Sequence, residues 1–135
     1  MLVSIVINNY NYGRYIGAAI DSALAQTWNP LEVIVVDDGS TDDSWAVIES
    51  YGERVHAIRQ ANGGQGAAYN TGLAASRGEW VLFLDSDDML DVGAIARMLS
   101  FADDKVAKVQ GYLRRIDADG KPLGGAVPYL SLIHI

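Results

Sequence analysis

Short apolar runs alternate along this chain with polar clusters and with stretches of helical spacing. Residues 3–7 are β-rich and predict a strand, which leads into the polar loop Asn8-Asn9-Tyr10-Asn11-Tyr12-Gly13. Ile16, Ala19, Ile20, Ala23 and Leu24 then recur as one apolar helix face. Pro30 breaks the pattern, and residues 31–36 predict a second strand. Asp37-Asp38-Gly39-Ser40-Thr41-Asp42 reads as a turn, with Asp42 or Asp43 expected to cap a helix carrying Trp45, Val47, Ile48 and Tyr51. Residues 55–58 predict a short third strand, and Asn62-Gly63-Gly64-Gln65-Gly66 a turn. Residues 67–76 predict a helix that Arg77-Gly78 ends, with Gly78 as its left-handed cap. The continuous apolar run 80–84 predicts a fourth strand, residues 94–101 a helix and residues 106–116 a further strand. Gly120-Lys121-Pro122 reads as a hairpin turn.

Strands alternating with helices predict an α/β fold, a mostly parallel sheet with helices on both faces. Ligands of such sheets bind at the carboxyl ends of the strands. Four polar clusters fall at that end: residues 8–11, Asp37-Asp38, residues 62–66 and Asp85-Ser86-Asp87-Asp88. The last follows a buried strand directly, so its carboxylates enter one crevice. Crowded anions repel unless a cation or hydrogen bonds neutralise them. A hard divalent ion with oxygen ligands, arriving with a substrate's phosphates, is the simplest partner. The competing expectation is structural, with Asp87 or Asp88 capping a helix that begins near Asp91. Four clusters on one edge favour a site over independent solvated turns.

Composition narrows the classes. At 135 residues the chain has the length of one domain. Half its residues are hydrophobic, yet no run approaches the ~20 apolar residues of a membrane helix. The first residues lack the basic flank and cleavage site of a secretory signal. Without cysteine there are neither disulfides nor thiolate ligands. A net charge of −7 argues against a nucleic-acid partner but not against a nucleotide presented with a metal ion.

The motifs Ile7-Asn8-Asn9-Tyr10-Asn11, Ala25-Gln26-Thr27-Trp28, Val35-Val36-Asp37-Asp38-Gly39-Ser40-Thr41-Asp42, Asn70-Thr71-Gly72-Leu73, Arg77-Gly78-Glu79 and Phe83-Leu84-Asp85-Ser86-Asp87-Asp88 stand in order. In that order and spacing the chain resembles the family 2 glycosyltransferases over residues 2 to about 118. These are inverting enzymes of the GT-A fold that transfer sugar from a nucleotide-diphosphate-sugar. The resemblance implies a three-layer αβα sandwich with a mostly parallel, Rossmann-like sheet, incomplete at the C-terminus. It implies that Tyr10 packs against the nucleobase, with Asn8 a neighbouring base contact. Asp38 matches the residue that hydrogen-bonds the base, usually a pyrimidine, and Asp37 shapes that pocket. Asp85 and Asp87 match the Asp-x-Asp pair: Asp87 ligates Mn²⁺ or Mg²⁺ on the diphosphate, and Asp85 contacts ribose or a metal-bound water. Gly64, with Gly63 and Gly66, would let backbone approach the ligand closely, or would simply form a strand-to-helix turn. The implied donor is a UDP-sugar and the acceptor a saccharide, a lipid or a cell-envelope polymer. The implied location is cytoplasmic, at the inner membrane face in many relatives.

Three departures matter. Asn8-Asn9 replaces the Pro-Thr common before Tyr-Asn, and Tyr69 stands where many members carry an arginine. The family's acceptor half, with its catalytic carboxylate, should begin where this chain ends, so residues 119–135 are expected to be its start. No base is assigned within the chain, since Asp117 and Asp119 flank a turn. Leu130-Ser131-Leu132-Ile133-His134-Ile135 is what a transposon end used in sequencing libraries would encode, so a non-native tail is expected there. The alternatives are a non-catalytic nucleotide-binding module and a phospho-receiver signalling domain. Receivers place an acidic pair after the first strand, where this chain has asparagines.

Overall fold

The computed structural model describes the backbone of residues 1–135 and the side chains of all but residues 126–129. Six strands form one sheet: β1 (Val3–Asn9), β2 (Leu31–Asp37), β3 (His56–Arg59), β4 (Trp80–Asp85), β5 (Lys108–Ile116) and β6 (Pro122–His134). Their order is β3-β2-β1-β4-β6-β5. The first four strands are mutually parallel, and β6 runs antiparallel to both β4 and β5.

Four α-helices cover the sheet: α1 (Gly13–Leu24), α2 (Ser44–Glu49), α3 (Gln65–Ala75) and α4 (Ala94–Leu99). Alternation along each strand sends residues to opposite faces, and two cores follow from it. Val3, Ile5 and Ile7 face α1, α2 and α4, packing on Ile16, Ile20, Ile48 and Ile95. Val6, Ile34, Val36 and Val81 face α3 through Ala68. The result is the expected αβα sandwich. Each fully buried Ile or Val contributes about 1.5–3 kcal/mol relative to exposure. Gly72 lets α3 lie close to the sheet: a Cβ there would stand 2.2 Å from Val6 Cγ1.

Side chains anchor the helix starts. Asp42 accepts from Gly13 N–H (2.9 Å) with Oδ2 and from Ser44 N–H (2.9 Å) with Oδ1. One carboxylate thus serves the N-termini of α1 and α2, and Asp43 makes no capping bond. Neither Asp87 nor Asp88 caps α4; Gln26 Oε1 accepts from Ile95 N–H (3.1 Å), in its first turn. Gly78 is not a left-handed cap either, for its φ is not positive. It is small because a Cβ would stand 2.6 Å from Ser4 Oγ, where the chain crosses β1.

β6 lies outside the sequence-based expectations. Gly124, Gly125 and Pro128 interrupt its pattern, so alternation emerges only near its end. Leu132 pairs with Leu82 and is fully buried, Leu130 joins the same core, and the His134 ring stacks on Trp80 at 4.8 Å. A turn over residues 117–121 joins β5 to β6, with Asp117 N–H donating to the Lys121 carbonyl (2.8 Å). Among the described residues no helix is long and apolar enough to cross a membrane.

Candidate functional site

The parallel strands end together because their register aligns them. Asn8 pairs with Val36 on one side and Asp85 on the other, and Asn9 pairs with Asp37. The loops after β1, β2, β3 and β4 therefore meet around one cavity of about 530 Å³. Its walls include Asn8, Tyr10, Asp38, Gly64, Asp85 and Asp87, all predicted from the sequence. Asn9, Asn62, Gln65 and Ser86, from the same polar clusters but given no role of their own, also line it, and Tyr12 joins them from outside those clusters. Tyr12, two residues beyond Tyr10 in the same loop, carried no separate signal in the sequence.

Asp37 does not line the cavity. It is fully buried behind the wall, where Asn9 Nδ2 (3.1 Å), Ser40 N–H (3.1 Å) and Ser40 Oγ (2.6 Å) donate to it. Arg59 Nε lies 3.7 Å from its other side. This network ties the loop after β1 to the loop after β2. Asn11 adds to it, its Oδ1 accepting from Thr41 N–H (2.7 Å) and Asp42 N–H (3.3 Å).

Asp38 organises the glycine turn. Its Oδ1 accepts from Gln60 Nε2 (2.8 Å) and Gly63 N–H (2.9 Å), and its Oδ2 from Gly64 N–H (2.8 Å). Burial alone would raise its pKa, but these bonds outweigh it and hold the carboxyl below its ordinary range. The group is thus an ionised acceptor, and a ligand atom meeting it must donate. Tyr10, by contrast, is about half exposed in the cavity wall. Asn8 Oδ1 is buried with no hydrogen-bond partner among the described residues.

Asp85, Asp87 and Asp88 can each bring one carboxylate oxygen within 4.8 Å of the others. Asp88 is pushed up to about 6, first by burial and then by the charges of Asp87 and Asp85. Such a cluster of hard oxygens, with repulsion left to relieve, fits Mg²⁺ or Mn²⁺. Asp85 Oδ1 already accepts from Gln65 Nε2 (2.9 Å) and from the Tyr69 hydroxyl. Burial first, and then that hydrogen bond, keep the Tyr69 phenol protonated well above its ordinary pKa. A second cavity, of about 550 Å³, lies beyond Asp87 and shares Tyr12 and Asp87 with the first. Asp117 and Asp119 line it, and Asp117 Oδ1 accepts from Asp119 N–H and Lys121 N–H within the turn.

Known proteins resemble this chain in sequence and in fold. The sequence model described as glycosyl transferase family 2 matches residues 4–128. The uncharacterized glycosyltransferase alr2836 of Nostoc sp. is 44% identical over 131 residues, covering 93% of this chain and 41% of that protein. The chain thus spans less than half the length of that relative. Among solved structures, S. aureus TarS 1–349 in complex with UDP superimposes with a TM-score of 0.67 at 33% identity. It covers 75% of this chain and 32% of its own. The mannosyltransferase PcManGT from Pyrobaculum calidifontis, in complex with GDP-Man and Mn²⁺, gives a TM-score of 0.76 at 26% identity, over 84% of this chain and 35% of its own. With the family match spanning most of its length, a close relative of the same kind and the sheet of these transferases, the chain belongs to glycosyl transferase family 2.

Proposed function

We propose that this chain forms the donor-binding part of a metal-assisted, inverting glycosyltransferase, taking a nucleotide-diphosphate-sugar with UDP-sugars favoured. The observation that carries the reading is the single cavity joining Tyr10 and Asp38 at one end to Asp85 and Asp87 at the other. A flat base fits the half-exposed Tyr10 ring. The ionised Asp38 accepts a base N–H, as the N3–H of uracil offers, and Asn8 adds an amide beside it. Asp37 holds that wall from behind, and Gly64 lets backbone reach the ligand. Asp85 meets ribose or a metal-bound water. Asp87, with Asp85 beside it, would hold Mn²⁺ or Mg²⁺, which stabilises charge on a departing diphosphate.

Supporting this reading, TarS is solved with UDP and with UDP-GlcNAc, and PcManGT with GDP-Man and Mn²⁺. We assign no catalytic base to this chain: Asp117 and Asp119 belong to the turn that joins β5 to β6, where Asp117 Oδ1 accepts from Asp119 N–H and Lys121 N–H. An inverting transfer needs a carboxylate that deprotonates the acceptor hydroxyl. The chain by itself therefore binds donor and metal with little or no transfer. The acceptor is a saccharide, lipid or envelope polymer, met at the inner membrane face in the intact protein.

Calorimetric titration with UDP, GDP, TDP and CDP, with and without Mn²⁺, tests the reading. We expect UDP to bind most tightly, with Mn²⁺ strengthening it and Asp87→Ala abolishing that gain. Absence of binding by every nucleotide, or indifference to metal, would sink it.

A further inference from the structure

We propose that Tyr69 is a positioning residue that fixes the Asp85 carboxylate so that only one of its oxygens faces the ligand. The inference rests on the donor-site reading and goes beyond it, because it concerns a residue behind the cavity wall.

Gln65 and Tyr69 stand one helical turn apart on α3, so their side chains lie on the same helix face. Both donate to the same atom, Asp85 Oδ1. Among the described residues Oδ2 receives no hydrogen bond, so it is the oxygen left for a ligand. The Tyr69 ring is itself held, packing edge-on against Phe83 at 4.8 Å and 62°. Phe83 lies two residues before Asp85 on β4, on the same face of the sheet. Helix, ring and strand therefore set the torsion of the carboxylate before any ligand arrives.

The chemistry of the donors matters as much as their geometry. A tyrosine hydroxyl and a glutamine amide orient a carboxylate without cancelling its charge. An arginine at residue 69, which the family resemblance would lead one to expect, would pair with that charge and weaken its pull on a cation or a ribose hydroxyl. With neutral donors on Oδ1, Asp85 keeps Oδ2 as an open acceptor beside Asp87 and Asp88.

The test is a double-mutant cycle in the full chain. UDP affinity is measured by calorimetry in saturating Mn²⁺, and Mn²⁺ affinity by electron paramagnetic resonance. Tyr69→Phe keeps the ring packing and removes only the donor. We expect it to weaken UDP–Mn²⁺ binding about ten-fold, the scale of one hydrogen bond to a charged group. Gln65→Leu, at an exposed position outside both cores, should weaken binding in the same direction. In an Asp85→Ala background Tyr69→Phe should cause no further loss, because the group it orients is gone. Parent-like binding by Tyr69→Phe, or an equal loss in both backgrounds, overturns the inference while leaving the donor site intact. A parent chain that binds neither UDP nor Mn²⁺ overturns the donor-site reading and this inference with it.

Discussion

Asp38→Asn is the most discriminating single change, because it exchanges one carboxylate oxygen for an amino group and leaves shape untouched. The carboxylate receives Gln60 Nε2 and Gly63 N–H on Oδ1 and Gly64 N–H on Oδ2, at 2.8–2.9 Å. An asparagine offers one oxygen, so its amino group must confront a donor on one side or the other. The milder orientation loses the Gly64 bond, about 1.5–3 kcal/mol for a charged acceptor. The two remaining bonds drop to neutral ones of roughly half the strength. We expect a net destabilisation of about 3 kcal/mol, hence a Tm lower by about 10 °C for a domain of this size. The sign with pH follows from the depressed pKa of Asp38. Its contribution is fully present above the ordinary value of 3.8 and fades as pH falls through the lower folded value, so the gap between variant and parent closes in acid. Thermal unfolding followed by circular dichroism, with hydrogen exchange at the Gly63 and Gly64 amides, reads both effects. A parent-like Tm together with unchanged exchange at those two amides would refute the reasoning.

Two further outcomes follow from the aspartate cluster and the α3 seat. Asp88 is raised to about 6, so the folded chain holds that proton more tightly than the unfolded one and loses stability as pH rises from about 4 through 6. Mn²⁺ relieves the repulsion, so its thermal shift should be larger at pH 7.5 than at pH 5; equal shifts would contradict this. Gly72→Ala places a Cβ 2.2 Å from Val6 Cγ1, overpacking the α3 seat at a cost of about 1–3 kcal/mol. An unchanged urea midpoint would show that α3 does not sit where the structure has it.

The strands and their polar ends were readable because both signals are local. Residues 3–7, 31–36 and 80–84 announce buried strands by composition, and Asn8, Asp38 and Asp85 follow them within a few residues. What sequence could not show are the bonds between those ends. Asp38 and Gly63 are far apart in the chain, and only the β2–β3 register brings carboxylate to amide. Tyr69 stands out in the sequence only as a departure from the arginine of many family members, and its partner Asp85 emerges once α3 is laid over β4. Gly78 carries the residue type of a helix cap, but the cause of its smallness is Ser4, on another strand. β6 was missed for a related reason. Its apolar end makes sense only against Leu82, a partner that no local window contains.

The stitching between the loops after β1 and β2 has an entropic consequence. Asn9, Asn11, Ser40 and Asp42 bind these loops into one body, so the backbones that carry Tyr10 and Asp38 cannot wander independently. On the donor-site reading, a nucleotide entering between them would meet walls that hydrogen bonds already hold together. The ordering penalty that a pair of loose loops would exact on association is met during folding instead. Nucleotide capture should then proceed in a single kinetic phase, at a rate set by encounter rather than by loop closure.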